Sequence, residues 1–199
     1  MRAQELGRAA LRLLNADATA SMAQIAAAAG VSRATLHRTF SSRDELVRFL
    51  GRMSVQSWRE ALDAAGIDEA AASQEPGLIR AALDRLCTQL VRDADEYGFT
   101  LTEPGLRADD ELVAASTAQQ DRELRFYAAA QRAGVLRDDV PTVWMAHVVF
   151  GLLVGLREAL GSGDIAVRDA GPLLRRTLLT GMAAPGTGDG RALAPRKRP

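Results

Sequence analysis

The side chains best suited to chemistry lie in residues 32–39, and the chemistry that they suit is nucleic-acid binding. Arg33 and Arg38 can offer paired donors to guanine, and Thr35 can give its methyl group to thymine or its hydroxyl to phosphate. On a short helix whose Leu36 faces inward, these side chains remain outside. The same outward surface carries Ser32, Ala34, His37 and Thr39. These residues therefore predict a helix face that can reach base edges and phosphates in a major groove.

Two short helices joined by a sharp turn must position this face. Ser21 followed by Gln24 predicts a capped helix start, and Gly30 predicts its end because glycine readily adopts the left-handed conformation. Ser32 can cap the second helix. Ser21 and Ser32 stand at helix N-termini, where hydroxyl and backbone N–H groups can together receive a phosphate. The pattern is typical of a helix-turn-helix.

A long helix, the fourth in the chain after a first helix near residues 2–15 and these two, follows this unit directly. Ser42 and Glu45 form the pattern of a capping box, and apolar spacing continues to about residue 65. Arg43 lies in the first turn of this helix. We therefore expect Arg43 to contact the DNA backbone and to fix the register without reading sequence.

The remaining sequence predicts an all-α protein of about nine helices. Long Ala-, Leu- and Arg-rich segments favour helix, and no stretch alternates β-branched residues as a strand would. Beyond a first helix near 2–15, we predict a polar connector over 66–76 and helices near 77–97, 109–133, 141–161 and 168–183. The predicted organisation is a DNA-binding domain at 1–50, a helical body at 51–184 and a disordered basic tail at 185–199.

Composition excludes several classes of function. Cys87 is the only cysteine among 199 residues, and His37 and His147 are the only histidines, so neither a disulfide framework nor a His/Cys metal site is predicted. The sequence also has no catalytic nucleophile constellation and no glycine-rich phosphate loop, so we expect neither an enzyme nor a cofactor. The longest apolar run, residues 148–156, is shorter than a membrane span. We expect a cytoplasmic protein with no membrane partner.

The charges are segregated although the net charge is zero. Residues 1–59 contain nine arginines against four acidic residues, whereas residues 60–190 contain twelve arginines against 21 acidic residues. A basic N-terminal part joined to an acidic body is the distribution expected of a nucleic-acid-binding module fused to something else.

The body contains most of the large aromatic residues and is predicted to hold a small apolar ligand. Such a set fits a hydrophobic core as well as a pocket, and a few polar groups, among them Thr100, would orient a ligand. The residues that we assign to the pocket are Trp58, Leu62, Cys87, Leu90, Phe99, Gln119, Glu123, Phe126, Trp144 and His147.

The last two predicted helices supply more apolar surface than one body needs. Gly151 and Gly155 are four residues apart and allow another helix to approach closely, and Leu174 and Leu178 lie on an apolar stripe of the final helix. Internal packing is the alternative. We expect these four residues to form a homodimer interface with two-fold symmetry.

Residues 5–50 resemble the tetracycline-repressor (TetR) family of bacterial transcription regulators. The matching residues are Ile25 and Ala26, residues 29–32, Thr35 and Leu36, Phe40 and residues 42–46. The resemblance implies a homodimer that binds a palindromic operator in double-stranded DNA, with a small-molecule pocket in each body and release of DNA, usually by a repressor, when the ligand binds. Two residues depart from the family pattern: His37 replaces a common tyrosine, and Thr39 replaces a common aromatic residue or histidine.

Two hypotheses of function follow. The first is a ligand-responsive transcriptional regulator that a small apolar effector releases from its operator. The alternative is a ligand-independent helix-turn-helix protein whose body serves only dimerisation or protein recruitment.

Overall fold

The computed structural model describes residues 3–183, which form nine α-helices. One isolated bridge between Leu136 and Ala183 is the extent of β-structure in these residues, so the predicted all-α class is confirmed. The predicted tail at 185–199 lies outside the described residues. The helices are α1 (Ala3–Ala16), α2 (Met22–Ala28), α3 (Arg33–Thr39), α4 (Arg43–Ala65), α5 (Ile67–Ser73), α6 (Pro76–Thr102), α7 (Asp110–Arg132), α8 (Thr142–Gly161) and α9 (Val167–Met182), with a 3₁₀ turn at Pro104–Ala108.

The N-terminal helices form a small module, called here the head, from α1, α2, α3 and the first turns of α4. Its core contains fully buried side chains from each of these helices, namely Leu6, Leu14, Ile25, Leu36 and Leu50. Tyr97 and Phe99 of α6 belong to the same buried cluster. Helix α4 continues past residue 50 into the body, and α6 contributes to the core of the head, so the two parts of the protein share these helices.

Gly7 allows α1 to approach α4 closely. A Cβ atom at this position would lie 2.7 Å from Sδ of Met53 and 2.9 Å from Cε1 of Phe49. We expect Gly7→Val to lower the free energy of unfolding by about 1–3 kcal/mol through overpacking. Gly77→Val is the matched control, because nothing lies within 4 Å of a Cβ there. Thermal unfolding checks the difference, and equal melting temperatures for the two variants would refute this close approach.

The body consists of α5–α9 packed with the rest of α4, and α6 contacts α4, α5, α8 and α9. The prediction of a connector over residues 66–76 was wrong in one respect, because these residues contain the short helix α5. Gly66 ends α4 in the left-handed conformation (φ 68°), and Ile67 and Ala70 then bury their side chains in the body core. The polar composition of this stretch hid a short amphipathic helix.

Helix α6 is kinked at Tyr97, where the backbone leaves helical geometry (φ −109°, ψ 16°). The sequence predicts the end of a helix there, but α6 continues to Thr102. Asn15 of α1 bonds to both sides of the kink: its Nδ2 donates to the carbonyls of Asp95 (2.9 Å) and Glu96 (3.0 Å), and its Oδ1 accepts from the Phe99 N–H (2.7 Å). Asn15 thus replaces hydrogen bonds that the kink breaks and joins the head to the body.

Candidate nucleic-acid interface and effector cavity

Local hydrogen bonds shape the helix-turn-helix, which comprises α2, the turn at residues 29–32 and α3. Ser21 and Gln24 form the predicted capping box, with Ser21 Oγ accepting from the Gln24 N–H and Gln24 Oε1 accepting from the Ser21 N–H at 2.8 Å. Gly30 turns the chain at φ 68°. Ser32 Oγ accepts from the Thr35 N–H at 3.1 Å and starts α3. These contacts explain why the sequence alone predicts this unit.

The outer face of α3 carries the predicted DNA-binding side chains. Leu36 is buried in the head, whereas Arg33, Ala34, His37 and Arg38 are exposed. In the part of the chain that the structure describes, Arg33 and Arg38 form no ion pair. Their guanidinium groups therefore remain available to phosphates or bases.

The hydroxyl groups on this face are already partly engaged. Thr35 Oγ1 lies 2.9 Å from Ser32 Oγ and accepts from Arg38 Nη2 at 3.3 Å. Thr39 Oγ1 donates to the Thr35 carbonyl at 3.3 Å, and both threonines are half-buried. Among the described residues this network engages Arg38 through Nη2 alone, so the rest of its guanidinium group has no hydrogen-bond partner.

The structure places Arg43 differently from the expectation of a DNA-backbone contact. Its Nη1 donates to the Ala20 carbonyl at 2.5 Å and its Nη2 donates to the Ala18 carbonyl at 2.7 Å. Arg43 thus joins the start of α4 to the loop between α1 and α2. A phosphate contact would require these bonds to break, so Arg43 serves the fold of the head and not the DNA-binding face.

A cavity of about 540 Å³ lies between α4, α6, α7 and α8. Four of the ten predicted ligand residues line it: Trp58, Leu90, Glu123 and His147. Thr100 also lines it. The size lies within the range of small-molecule sites in proteins.

The other six predicted ligand residues lie elsewhere. Leu62, Cys87 and Phe126 are buried in the body core, and Phe99 is buried in the head core because it follows the kink of α6. Gln119 lines a separate shallow groove and accepts from Arg122, and Trp144 is 57 % exposed. Desolvation raises the pKa of the Cys87 thiol to about 11, as expected of a buried hydrophobic residue and not of a thiol sensor.

Sequence reasoning missed Asp93, which lines the cavity beside Leu90 and Tyr97. The signal was present, because intervals of three and four residues put Leu90, Asp93 and Tyr97 on one face of α6. Ser57 Oγ donates to Asp93 Oδ1 at 2.8 Å. Burial raises the pKa of Asp93 in spite of this hydrogen bond.

Glu123 is the most deeply placed acid of the cavity, with 5 % of its surface exposed. Trp58 Nε1 donates to its Oε1 at 3.2 Å. Burial raises the pKa of Glu123 to about 7, and the Trp58 hydrogen bond opposes this shift. The side chain is therefore poised to change its charge near neutral pH.

The outer face of α8 is unusually apolar for an exposed surface. Val143 and Trp144 are exposed, and nothing lies within 4 Å of a Cβ placed on Gly151 or Gly155. Among the described residues, α8 is long and apolar enough to cross a membrane. Length and composition alone do not distinguish a membrane span from an apolar helix of a folded protein. The two leucines predicted at a dimer interface are placed differently, since Leu174 and Leu178 are buried in the core of their own body.

Comparison with known proteins supports the helix-turn-helix assignment. The family model described as bacterial regulatory proteins, tetR family, matches residues 7–49. The transcriptional repressor LfrR of Mycolicibacterium smegmatis is 31% identical to the chain over 155 residues, which are 78% of this chain and 77% of that protein. The chain belongs to the TetR family. It is accordingly a DNA-binding transcriptional regulator.

Solved structures of other TetR-like proteins share the fold of this family member. LfrR from Mycobacterium smegmatis in complex with proflavine superposes with a TM-score of 0.71 at 26% identity, covering 89% of this chain and 94% of that one. PfmR from Thermus thermophilus, at 16% identity, covers 89% of this chain and 97% of its own with a TM-score of 0.63. The fold therefore extends well beyond the residues that the family model matches.

Proposed function

We propose that this TetR-family protein is a ligand-responsive repressor that binds a palindromic operator as a homodimer. The observation that carries the proposal is the joint presence of an unpaired basic face on α3 and a cavity of about 540 Å³ in the body. The proposed setting is the cytoplasm, and the proposed activity is binding without catalysis. The alternative, a regulator that responds to no ligand, leaves this cavity without a use.

The proposed DNA contacts lie on α3 and at the helix N-termini. Arg33, Thr35 and Arg38 would enter the major groove, and His37 would take the place of the tyrosine that the family commonly has. Ser21 and Ser32 would receive phosphates at the N-termini of α2 and α3. Ala34 and Thr39 complete this surface.

The homodimer is proposed to form through the outer face of α8. The side chains exposed there are apolar, and Gly151 and Gly155 leave room for a partner helix to approach. Two-fold symmetry would then set the separation of the two heads, as a palindromic operator requires.

Gly151→Glu tests this interface without disturbing the protomer. A side chain at residue 151 meets no atom of its own chain within 4 Å, so the protomer should fold normally. We expect a charge in an apolar interface to convert the dimer to a monomer in analytical ultracentrifugation. Gly77→Glu is the control and should remain dimeric. A dimeric Gly151→Glu variant would place the interface elsewhere.

The kinked segment of α6 is proposed to carry the ligand signal to the head. Tyr97 lines the cavity and also packs in the head core. Thr100 donates to the Tyr97 carbonyl at 2.7 Å and lies 2.9 Å from Ser54 Oγ on α4, while Asn15 bonds to the same kink from α1. A ligand that shifts Tyr97 would therefore move the head through both α1 and α4.

Selection of operator DNA followed by release tests the proposal. The full-length protein is used to enrich random duplexes, and the enriched sequence is measured by fluorescence anisotropy at several salt concentrations. We expect an inverted repeat, an affinity that falls steeply with salt, and release of the DNA by proflavine, the ligand in the LfrR structure. Enrichment of no inverted repeat would refute the palindromic operator. Binding without release by proflavine or any screened compound would favour the ligand-independent alternative.

A further inference from the structure

The effector cavity contains a buried carboxylate with one free oxygen. Glu123 Oε1 accepts from Trp58 Nε1, and no hydrogen bond to Oε2 is present among residues 3–183. Every fully buried side-chain oxygen or nitrogen in these residues has a partner. Since Oε2 has no partner, it is not fully buried. Because Glu123 lines the cavity, the accessible surface of Oε2 faces the cavity.

The cavity has an excess of acidic groups. Three acidic residues line it, namely Asp93, Glu103 and Glu123. Apart from His147, the basic residue in the lining is Arg107. In the described residues, neither Asp93 nor Glu123 forms an ion pair, and Arg107 is exposed. The two inner carboxylates thus accept hydrogen bonds, and Glu123, unlike Asp93 with Arg92 nearby, has no cation acting on it.

A carboxylate in this setting favours a cationic ligand. Burial of an ion without an opposite charge is costly, and this cost raises the pKa of Glu123 to about 7. A ligand cation beside Oε2 would remove that cost. The ring of Trp58, held by its hydrogen bond to the same carboxylate, and the ring of Phe150 offer aromatic faces to the rest of the molecule.

We propose that the effector is an organic cation with an aromatic body, and that Glu123 receives its positive charge. This inference rests on the proposed function only in taking the cavity as the effector site. It revises the expectation of a purely apolar ligand. Glu123 would act as the residue that selects for charge, and the walls formed by Trp58, Leu90 and Leu153 would accept the apolar part.

The proposal predicts a pH dependence of binding whose sign follows from Glu123. A cation binds the ionised carboxylate, so its affinity rises as the pH increases through about 7 and is lower at acidic pH. Other groups face the same space. The titratable and charged side chains lining the cavity with Glu123 are Asp93, Tyr97, Glu103, Arg107 and His147, and Tyr127 lies one turn further along α7.

A pair of tricyclic probes with the same ring outline tests the charge selection. 9-Aminoacridine is a cation between about pH 6 and pH 8, whereas acridone is neutral. We expect the wild-type protein at pH 8 to bind 9-aminoacridine about 10- to 100-fold more tightly than acridone, the range of a hydrogen bond to a charged group. Its affinity for 9-aminoacridine should fall about tenfold between pH 8 and pH 6. Fluorescence titration measures both quantities.

Three variants assign the effect to Glu123. Glu123→Gln should bring the two probe affinities within about threefold and remove most of the pH dependence. Glu111→Gln is the matched control on the exposed side of α7 and should behave as wild type. His147→Gln should retain the preference and its pH dependence, which separates the imidazole from the carboxylate.

Separate outcomes decide the two proposals. Equal binding of both probes by the wild-type protein, binding of neither, or an unchanged preference in Glu123→Gln would overturn the charge selection. The wild-type comparison alone remains decisive if Glu123→Gln does not fold. A clear preference without release of operator DNA by any bound probe would instead contradict the proposed function and leave the charge selection standing.

Discussion

Arg38→Ala is expected to weaken operator binding by at least roughly 30-fold. A base contact by an arginine contributes about 1–3 kcal/mol, and a homodimer would make the contact twice. Arg38 is exposed, and within the described residues its hydrogen bond joins it only to Thr35 of the same helix. The melting temperature should therefore stay within about 1 °C of wild type, because an exposed side chain contributes little to stability.

Two further variants separate base recognition from simple charge. Arg80→Ala removes the same charge from an exposed position on α6 and should leave operator binding unchanged. Arg38→Lys keeps the charge but loses the planar guanidinium group with its paired donors. Compared with Arg38→Ala, it should therefore recover binding to random DNA more fully than binding to the selected operator. Equal losses for Arg38→Ala and Arg80→Ala, or unfolding of the head by Arg38→Ala, would contradict the assignment of α3 as the reading helix.

Asn15→Ala is expected to weaken the response to ligand severalfold while DNA binding persists. Allosteric coupling between two sites typically amounts to about 1–3 kcal/mol, or about 5- to 150-fold in affinity. Asn15 provides three hydrogen bonds across the α6 kink, to Asp95 O, Glu96 O and Phe99 N. Without them, movement of Tyr97 in the cavity should no longer be transmitted to α1. The ratio of operator affinities without and with proflavine should fall by at least about threefold, while the contact of Thr100 with Ser54 on α4 keeps part of the response.

A control on α6, the helix that Asn15 contacts, shows whether this effect is specific. Thr88→Ala deletes a hydrogen bond from a side chain to the Asp84 carbonyl within α6 and should leave the ratio at its wild-type value. Asn15→Ala should also cost about 1–3 kcal/mol of stability, since it leaves partly buried backbone groups without partners. A variant with lower stability but a full ligand response would show that Asn15 supports the fold and takes no part in transmission.

The sequence predicts the head more accurately than the body because the head depends on local interactions. Ser21 with Gln24, Ser32 with Thr35, and Gly30 each act within a few residues, so their effect can be recognised without a tertiary structure. Even there a detail differs. Ser42 Oγ accepts from the Glu45 N–H at 3.1 Å as predicted, but the Glu45 side chain accepts from the Ser41 N–H at 2.7 Å and not from the Ser42 N–H that a complete capping box requires.

The errors occur where a long-range contact overrides the local pattern. The sequence predicts that α6 ends at Tyr97, and the backbone does leave helical geometry there, but Asn15, 80 residues before Asp95 in the chain, replaces the lost hydrogen bonds. The helix continues, and Phe99 turns into the head core and away from the cavity. Similarly, Leu174 and Leu178 form an apolar stripe that fits either a dimer or a core, and only packing shows that it is the core.

The sequence by itself determined the all-helical class, the helix-turn-helix and the identity of the side chains on its outer face, because helix caps, turns and apolar spacing act over three or four residues. Only the tertiary structure decided which side chains share the cavity, where the head is joined to the body, and that Arg43 is used internally. Those properties depend on which distant helix faces meet. A chain of amphipathic helices can pack in several ways, and the pattern of each helix shows that a face is buried without showing what covers it.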